Sequence, residues 1–147
     1  MQDEFANFAH YCNSAAGQCQ PLFTCRGKIY TTIEQMMEIR EYLDRRGESP
    51  FRDWRSRLNT EARRKVTTAL YRVGLGNLSN VKDVRAGVFE CRINFGPGYR
   101  VYFGKDGEEI VILLGGGTKL RHQNDIHLAA ERWQDYKLRK ANQKQGE

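Results

Sequence analysis

Residues 89–117, FECRINFGPGYRVYFGKDGEEIVILLGGG, alternate apolar and polar side chains, turn on Gly96-Pro97-Gly98, and alternate again. They then turn on Asp106-Gly107 and finish in an apolar run. This pattern predicts three short antiparallel strands joined by two tight hairpins. A side-chain period of two assigns every residue to a face. Phe89, Cys91 and Ile93 fall on one face of the first strand, and Glu90, Arg92 and Asn94 on the other. In the second strand Arg100 and Tyr102 alternate with Tyr99, Val101 and Phe103. Arg92 and Arg100 therefore lie on the polar sides of neighbouring strands. Guanidinium groups gathered on a small sheet can grip a phosphate through paired hydrogen bonds, and a solvated polar face is the competing reading.

Upstream, Ser49 reads as the N-cap of a helix that begins at Pro50, with Asp53 in a first turn that favours negative charge. Phe51, Trp54 and Leu58 share one face of it. Asn59 or Thr60 opens a second helix, whose Ala62, Val66, Leu70 and Val73 make an apolar stripe that Gly74 and Gly76 can end. With so short a connection the pair is expected as an antiparallel αα-hairpin packed on the sheet, an α+β arrangement. Residues 31–46 are ambiguous: propensity favours a helix, and a strand from Met37 to Leu43 competes. After Gly115-Gly116-Gly117, Asn124 can cap a last helix with Ile126, Ala129, Ala130 and Trp133 as its stripe. The three glycines lack the Gly-Lys-Ser/Thr of a phosphate-binding loop, and a flexible strand exit explains them equally well. Residues 137–147 read as a basic tail.

The chain of 147 residues suits one compact domain. Its 24 basic and 18 acidic residues leave a net charge of +6, which favours a polyanionic partner: nucleic acid, an acidic protein or an anionic membrane surface. Residues 1–35 hold two basic and three acidic residues, against 22 and 15 in the remainder, so the excess belongs to the later chain. Three of the four cysteines, Cys12, Cys19 and Cys25, lie in that first segment beside His10. No two of them are separated by the two to four residues usual for structural zinc, so incidental thiols are the simpler reading. Cys91 reads as a small core residue. No apolar stretch approaches the roughly 20 residues that cross a bilayer. The first 20 residues lack the basic flank and apolar segment of a secretory signal, so the cytoplasm is the expected compartment.

Taken in order, ESPFRDWRSRL, a basic helix running into GLGN, then FECRINFGPGYRVYF, ILLGGGTK and NDI resemble the RelE/ParE superfamily of toxins. The match is to its HigB-like addiction module killer branch. The resemblance spans about Met37 to Trp133, and the block from Arg92 through GPGYRVYF carries most of it. It implies a RelE-like fold: a first strand, here MEIREYL, a helical hairpin, a small antiparallel sheet and a C-terminal helix. It also divides the chain into an N-terminal extension over 1–35, a toxin domain over 36–136, and the basic tail. Relatives begin near Met36 or Met37, so the extension is expected to be poorly structured or to reflect too early a start.

The resemblance further implies the toxin half of a bacterial type II toxin–antitoxin pair, acting as a ribosome-associated messenger RNA endonuclease. In that chemistry the RNA 2′-OH attacks the adjacent phosphodiester, and neither metal nor cofactor is needed. Carried over position by position, Arg100 is the first choice for stabilising charge on phosphorus. Arg92 and Lys119 are further cationic candidates, and Tyr102 and His122 are candidates for proton transfer. Where relatives commonly have Gly-Gly-Asp-Lys, this chain has Gly-Gly-Thr-Lys at 116–119, which alters how Lys119 is oriented. The implied partners are messenger RNA on the ribosome and a small cognate antitoxin, with no membrane. Two other readings share the fold: a ParE-like inhibitor of DNA gyrase, and an inactive toxin-like binding module.

Overall fold

The computed structural model describes Phe23–Cys25, Lys28–Tyr30 and residues 36–146. Contacts divide the chain into two units, Met1–Glu34 and Gln35–Glu147. In the first, strands β1 (Phe23–Cys25) and β2 (Lys28–Tyr30) pair antiparallel, with Phe23 opposite Tyr30. His10, Cys12 and Cys19 lie outside the described residues, as does the side chain of Cys25, and with them the zinc reading.

The second unit is α+β. Its strands are β3 (Glu38–Glu41), β4 (Val81–Arg85), β5 (Val88–Ile93), β6 (Tyr99–Asp106) and β7 (Ile110–Thr118). They form one sheet in the order β3-β7-β6-β5-β4. The expected meander is β5, β6 and β7, paired antiparallel with Arg92 opposite Arg100 and Phe103 opposite Leu113. Two features depart from the expected small antiparallel sheet. Strand β3 runs parallel to β7, from Glu38 beside Ile110 to Glu41 beside Leu113, so the sheet is mixed. Strand β4 was not anticipated. Its VKDVR is short and largely exposed, and its turn to β5 uses Ala86 and Gly87, both at positive φ (53° and 82°). That two-residue turn normally takes Asn-Gly or Asp-Gly, and alanine conceals it. Within residues 36–46, tertiary pairing with β7 decides for a strand, Glu38–Glu41, over helix propensity, and Ile39 packs against the core.

Helix α1 (Pro50–Ser56) is capped by Ser49, whose Oγ accepts from the Arg52 N–H at 3.1 Å. Helix α2 (Thr60–Gly74) is capped by Asn59, whose Oδ1 accepts from the Ala62 N–H at 2.8 Å. Ala62, Val66, Leu70 and Val73 are all buried, as the stripe requires. Both helices cover one face of the sheet, α1 against β7 and α2 against β5, and each packs mainly on the sheet rather than on its neighbour. Phe51, Val66, Leu70, Cys91, Val101 and Phe103 are among that core. Burial, aided by the Glu90 carboxylate, pushes the Cys91 thiol up to about 11.

The opposite face is covered by α3 (His122–Gln145), where Ile126, Ala129 and Trp133 pack on Val88, Tyr102, Ile112 and Leu114. The polar face is therefore half a core, since α3 lies across it. This helix begins at His122, two residues before the expected Asn124 cap, after a 3₁₀ turn over Lys119–Arg121. It also takes in the expected basic tail. Arg139 reaches Asp135 at 2.8 Å and the Leu43 carbonyl at 2.7 Å, and Lys140 pairs with Asp106. No helix of the described residues is long and apolar enough to cross a membrane.

Candidate functional site

Strand register assembles a polar cluster on the α3 face. Glu90 stands directly opposite Tyr102, and Arg92 opposite Arg100. On the next strand Gly115 lies opposite Tyr102 and Gly117 opposite Arg100. The glycines are not a flexible strand exit, because they lie inside β7 and each lets a side chain approach the backbone. A Cβ at 117 would collide with the Asp125 carboxylate, and one at 115 would sit 2.7 Å from the Arg132 guanidinium. On the other face, a Cβ at 116 would collide with the Trp54 ring. This closeness lets the first turn of α3 bring His122 and Asp125 down onto the sheet.

Glu90 is the centre of the cluster. Its side chain is wholly buried, while Arg100 is 13%, His122 28% and Arg92 48% exposed, so the cluster opens outward through Arg92 and His122. Glu90 Oε1 accepts from Arg92 Nε at 2.8 Å and from Arg100 Nη1. His122 Nδ1 lies 3.1 Å from Glu90 Oε2 and 3.3 Å from both Arg100 Nη1 and Tyr102 Oη. The approach to Oε2 is close enough for ionic attraction but not aligned as a hydrogen bond, and that buried oxygen has no hydrogen-bond partner. The Glu90 carboxylate faces two guanidinium groups, and a second carboxylate, Asp125, lies over Gly117 opposite Arg100. Burial above all, with the negative charges of Glu90 and Asp125, raises the Tyr102 hydroxyl well above the ordinary tyrosine range. Tyr102 therefore keeps its proton at neutral pH.

Four of the five residues singled out in the sequence, Arg92, Arg100, Tyr102 and His122, meet here. Lys119 does not. It sits in the 3₁₀ turn, exposed, with its N–H bonded to the Gly98 carbonyl at 3.1 Å beside the β5–β6 turn. Arg100 is an interior ion-paired residue rather than an exposed one. Sequence reasoning placed Glu90 on the correct face but missed its role. The available signal was an acid flanked on its own strand by an arginine and facing a strand that carries another. Asp125 was missed too. Its Oδ2 is buried without a hydrogen-bond partner, and desolvation raises its carboxyl against the pull of Arg121, Arg132 and His122.

Tyr102 and Gly115–Gly117 also line a cleft of about 600 Å³ between α1 and α3, with Trp54 and Arg57 on one wall and Arg121 and Asp125 on the other. Among the described residues, no group of three or more His, Cys, Asp or Glu side chains is arranged to hold a metal ion.

Fold and cluster together define a small α+β protein with a buried carboxylate organising two arginines, a histidine and a tyrosine beside a cleft. No family model matches the chain. It is 41% identical over 80 residues to a protein of Haemophilus influenzae described as uncharacterized, a match covering 54% of this chain and 81% of that relative. The chain belongs to the same family as that protein.

Proposed function

We propose that the protein is the toxin component of a bacterial type II toxin–antitoxin system, a RelE-like, cytoplasmic endoribonuclease that cuts messenger RNA on the ribosome. The observation that carries this reading is the convergence of Arg92, Arg100, Tyr102 and His122 on buried Glu90. The order of a first strand, two helices, a meander and a last helix supports the RelE-like arrangement, with β4 as an addition.

Cleavage by a 2′-OH needs a base, a cation at phosphorus and an acid, and the cluster holds all three. With its proton on Nδ1, the nitrogen that faces Glu90 Oε2 and Tyr102 Oη, His122 has its other ring nitrogen free to take the 2′-OH proton. Glu90 then stabilises the imidazolium by the logic of a carboxylate–histidine pair. Arg92 and Arg100, held in place by the same carboxylate, donate to the non-bridging phosphate oxygens as negative charge accumulates. The O2′–P bond forms and the P–O5′ bond breaks. Tyr102 gives its proton to the departing 5′-oxygen and regains one from His122 Nδ1 through their 3.3 Å contact, and exchange with solvent moves the ring proton back to Nδ1. The products are a 2′,3′-cyclic phosphate and a 5′-hydroxyl, and side chains alone supply the chemistry.

The test is inducible expression of the full chain in a bacterium beside its His122→Ala version, with 5′ ends of messages mapped. Growth arrest with new cuts inside translated frames that depend on His122 supports the nuclease. Arrest with intact messages moves the assignment to gyrase or another target, and no arrest to an inactive binding module.

A further inference from the structure

We propose that the outer surface of α1 and α2 is a second, separate binding site, one that docks the phosphate backbone of RNA. The choice of RNA as ligand rests on the nuclease reading, but the site does not share its residues. Residues 45–72 contain nine basic side chains against three acidic ones, while the other 119 residues carry 15 of each sign. The whole net charge of the protein is thus confined to the two helices and the loop before them. Eight of the nine cations, all but Arg55, are exposed. Of these nine, all of them among the described residues, only Arg52 is in an ion pair, with Glu41 at 2.9 Å. Like charges this crowded repel one another, and a polyanion relieves that repulsion.

Arg55, Arg63 and Arg64, with the hydroxyls of Thr60, Thr67 and Thr68, line an open groove of about 440 Å³ between the helices. Arg55 Nη2 donates to Thr67 Oγ1 at 3.1 Å, which ties the two walls together. Guanidinium groups are donors that phosphate oxygens accept from. Here they are the groove's main ones, because Thr67 and Thr68 donate their hydroxyl protons to the Arg63 and Arg64 carbonyls at 2.9 and 3.0 Å. A protein partner of ordinary kind needs an apolar centre to its interface. Tyr71 is the single large exposed hydrophobic residue on α1 and α2, and it is not part of the groove. These helices cover the sheet face opposite Glu90, so docking and cleavage use different surfaces.

The test measures affinity of the full chain for an RNA duplex of about 20 base pairs across a salt series, with the probe checked for integrity by gel. Arg63→Glu with Arg64→Glu should weaken binding by about tenfold or more and reduce the salt slope by about 1–2. Arg85→Glu with Lys144→Glu, the same charge change elsewhere, should leave affinity nearly unchanged. Equal losses in both pairs, or no loss in the first, would overturn the proposal. Equal competition by polyglutamate would overturn it in favour of an acidic protein. Should the Arg63/Arg64 pair fail to fold, Arg45→Glu with Arg46→Glu tests the same patch from the preceding loop. Groove-dependent duplex binding without message cleavage in cells removes the nuclease reading and keeps the docking site. Cleavage with groove-independent binding does the reverse.

Discussion

Glu90 and Arg100, ten residues apart in the chain, form an ion pair inside the protein, with the carboxylate wholly buried and the guanidinium nearly so. Neither charge survives burial alone. Removing one partner of such a pair leaves the other uncompensated in a medium that solvates it poorly. The cluster is therefore both a structural element and the candidate site, and substitutions in it should move stability and activity by different amounts.

Glu90→Gln keeps the shape but removes the charge that holds Arg92 and Arg100. It should destabilise the fold by roughly 1–3 kcal/mol, read from a denaturant midpoint, and reduce cleavage far more than that loss of stability explains. Wild-type cleavage in a folded Glu90→Gln protein would contradict the central role of the carboxylate.

Tyr102→Phe deletes one hydroxyl whose contact is His122 at 3.3 Å. Stability should fall by only about 0.5–1.5 kcal/mol, and the cleavage rate by about 10²-fold or more. Because burial raises this hydroxyl, its deprotonation lies above the ordinary tyrosine value of about 10. Wild-type activity should show no alkaline loss from tyrosine at that ordinary value, and such a loss absent from Tyr102→Phe would show that burial does not raise this hydroxyl.

Gly116→Ala drives a methyl group into the Trp54 ring, since a Cβ there collides with it. The expected cost is about 1–3 kcal/mol from overpacking. Combining it with Trp54→Ala should cost less than the sum of the single changes, because the new methyl then has room. Strict additivity in thermal unfolding would mean that Trp54 does not lie over Gly116.

Asp125 supplies a pH dependence of defined sign. Its folded carboxyl is raised, by desolvation first, so the folded state binds that proton more tightly than the unfolded chain. The penalty is absent when both states are protonated, below about pH 4, appears as pH rises through the folded value, and persists at neutrality. Asp125→Asn should therefore stabilise the protein at pH 7 and lose that advantage in acid. A destabilised variant at pH 7 would show that Asp125 has a partner when folded.

The meander, both helix caps and the α2 stripe could be read from the sequence because each depends on local chemistry: alternation, turn glycines, a Ser-Pro start, a spacing of three and four. Strand β3 needed more than propensity, since its pairing with β7 is long-range. Strand β4 escaped notice because Ala86 occupies a turn position that usually declares itself as asparagine or aspartate. At the site, periodicity put Glu90, Arg92, Arg100 and Tyr102 on defined faces but could not tell which of them is buried. That depends on α3 folding back across the sheet over Gly115 and Gly117, an approach that no spacing of residues announces. Lys119 shows the opposite failure. Adjacency to the last strand made it a candidate, and the 3₁₀ turn leaves it outside the cluster.

The central claim, that the Glu90 cluster cuts RNA by internal attack of the 2′-OH, is tested most directly by the chemistry of the ends it leaves. Messages recovered after induction of the wild-type chain, Tyr102→Phe and His122→Ala should be sequenced by methods that capture 2′,3′-cyclic phosphates and 5′-hydroxyls. The account predicts both termini at the same in-frame positions for the wild type, and their loss in both folded variants. Cuts bearing 5′-phosphates, or cuts that persist unchanged in the two variants, would contradict it.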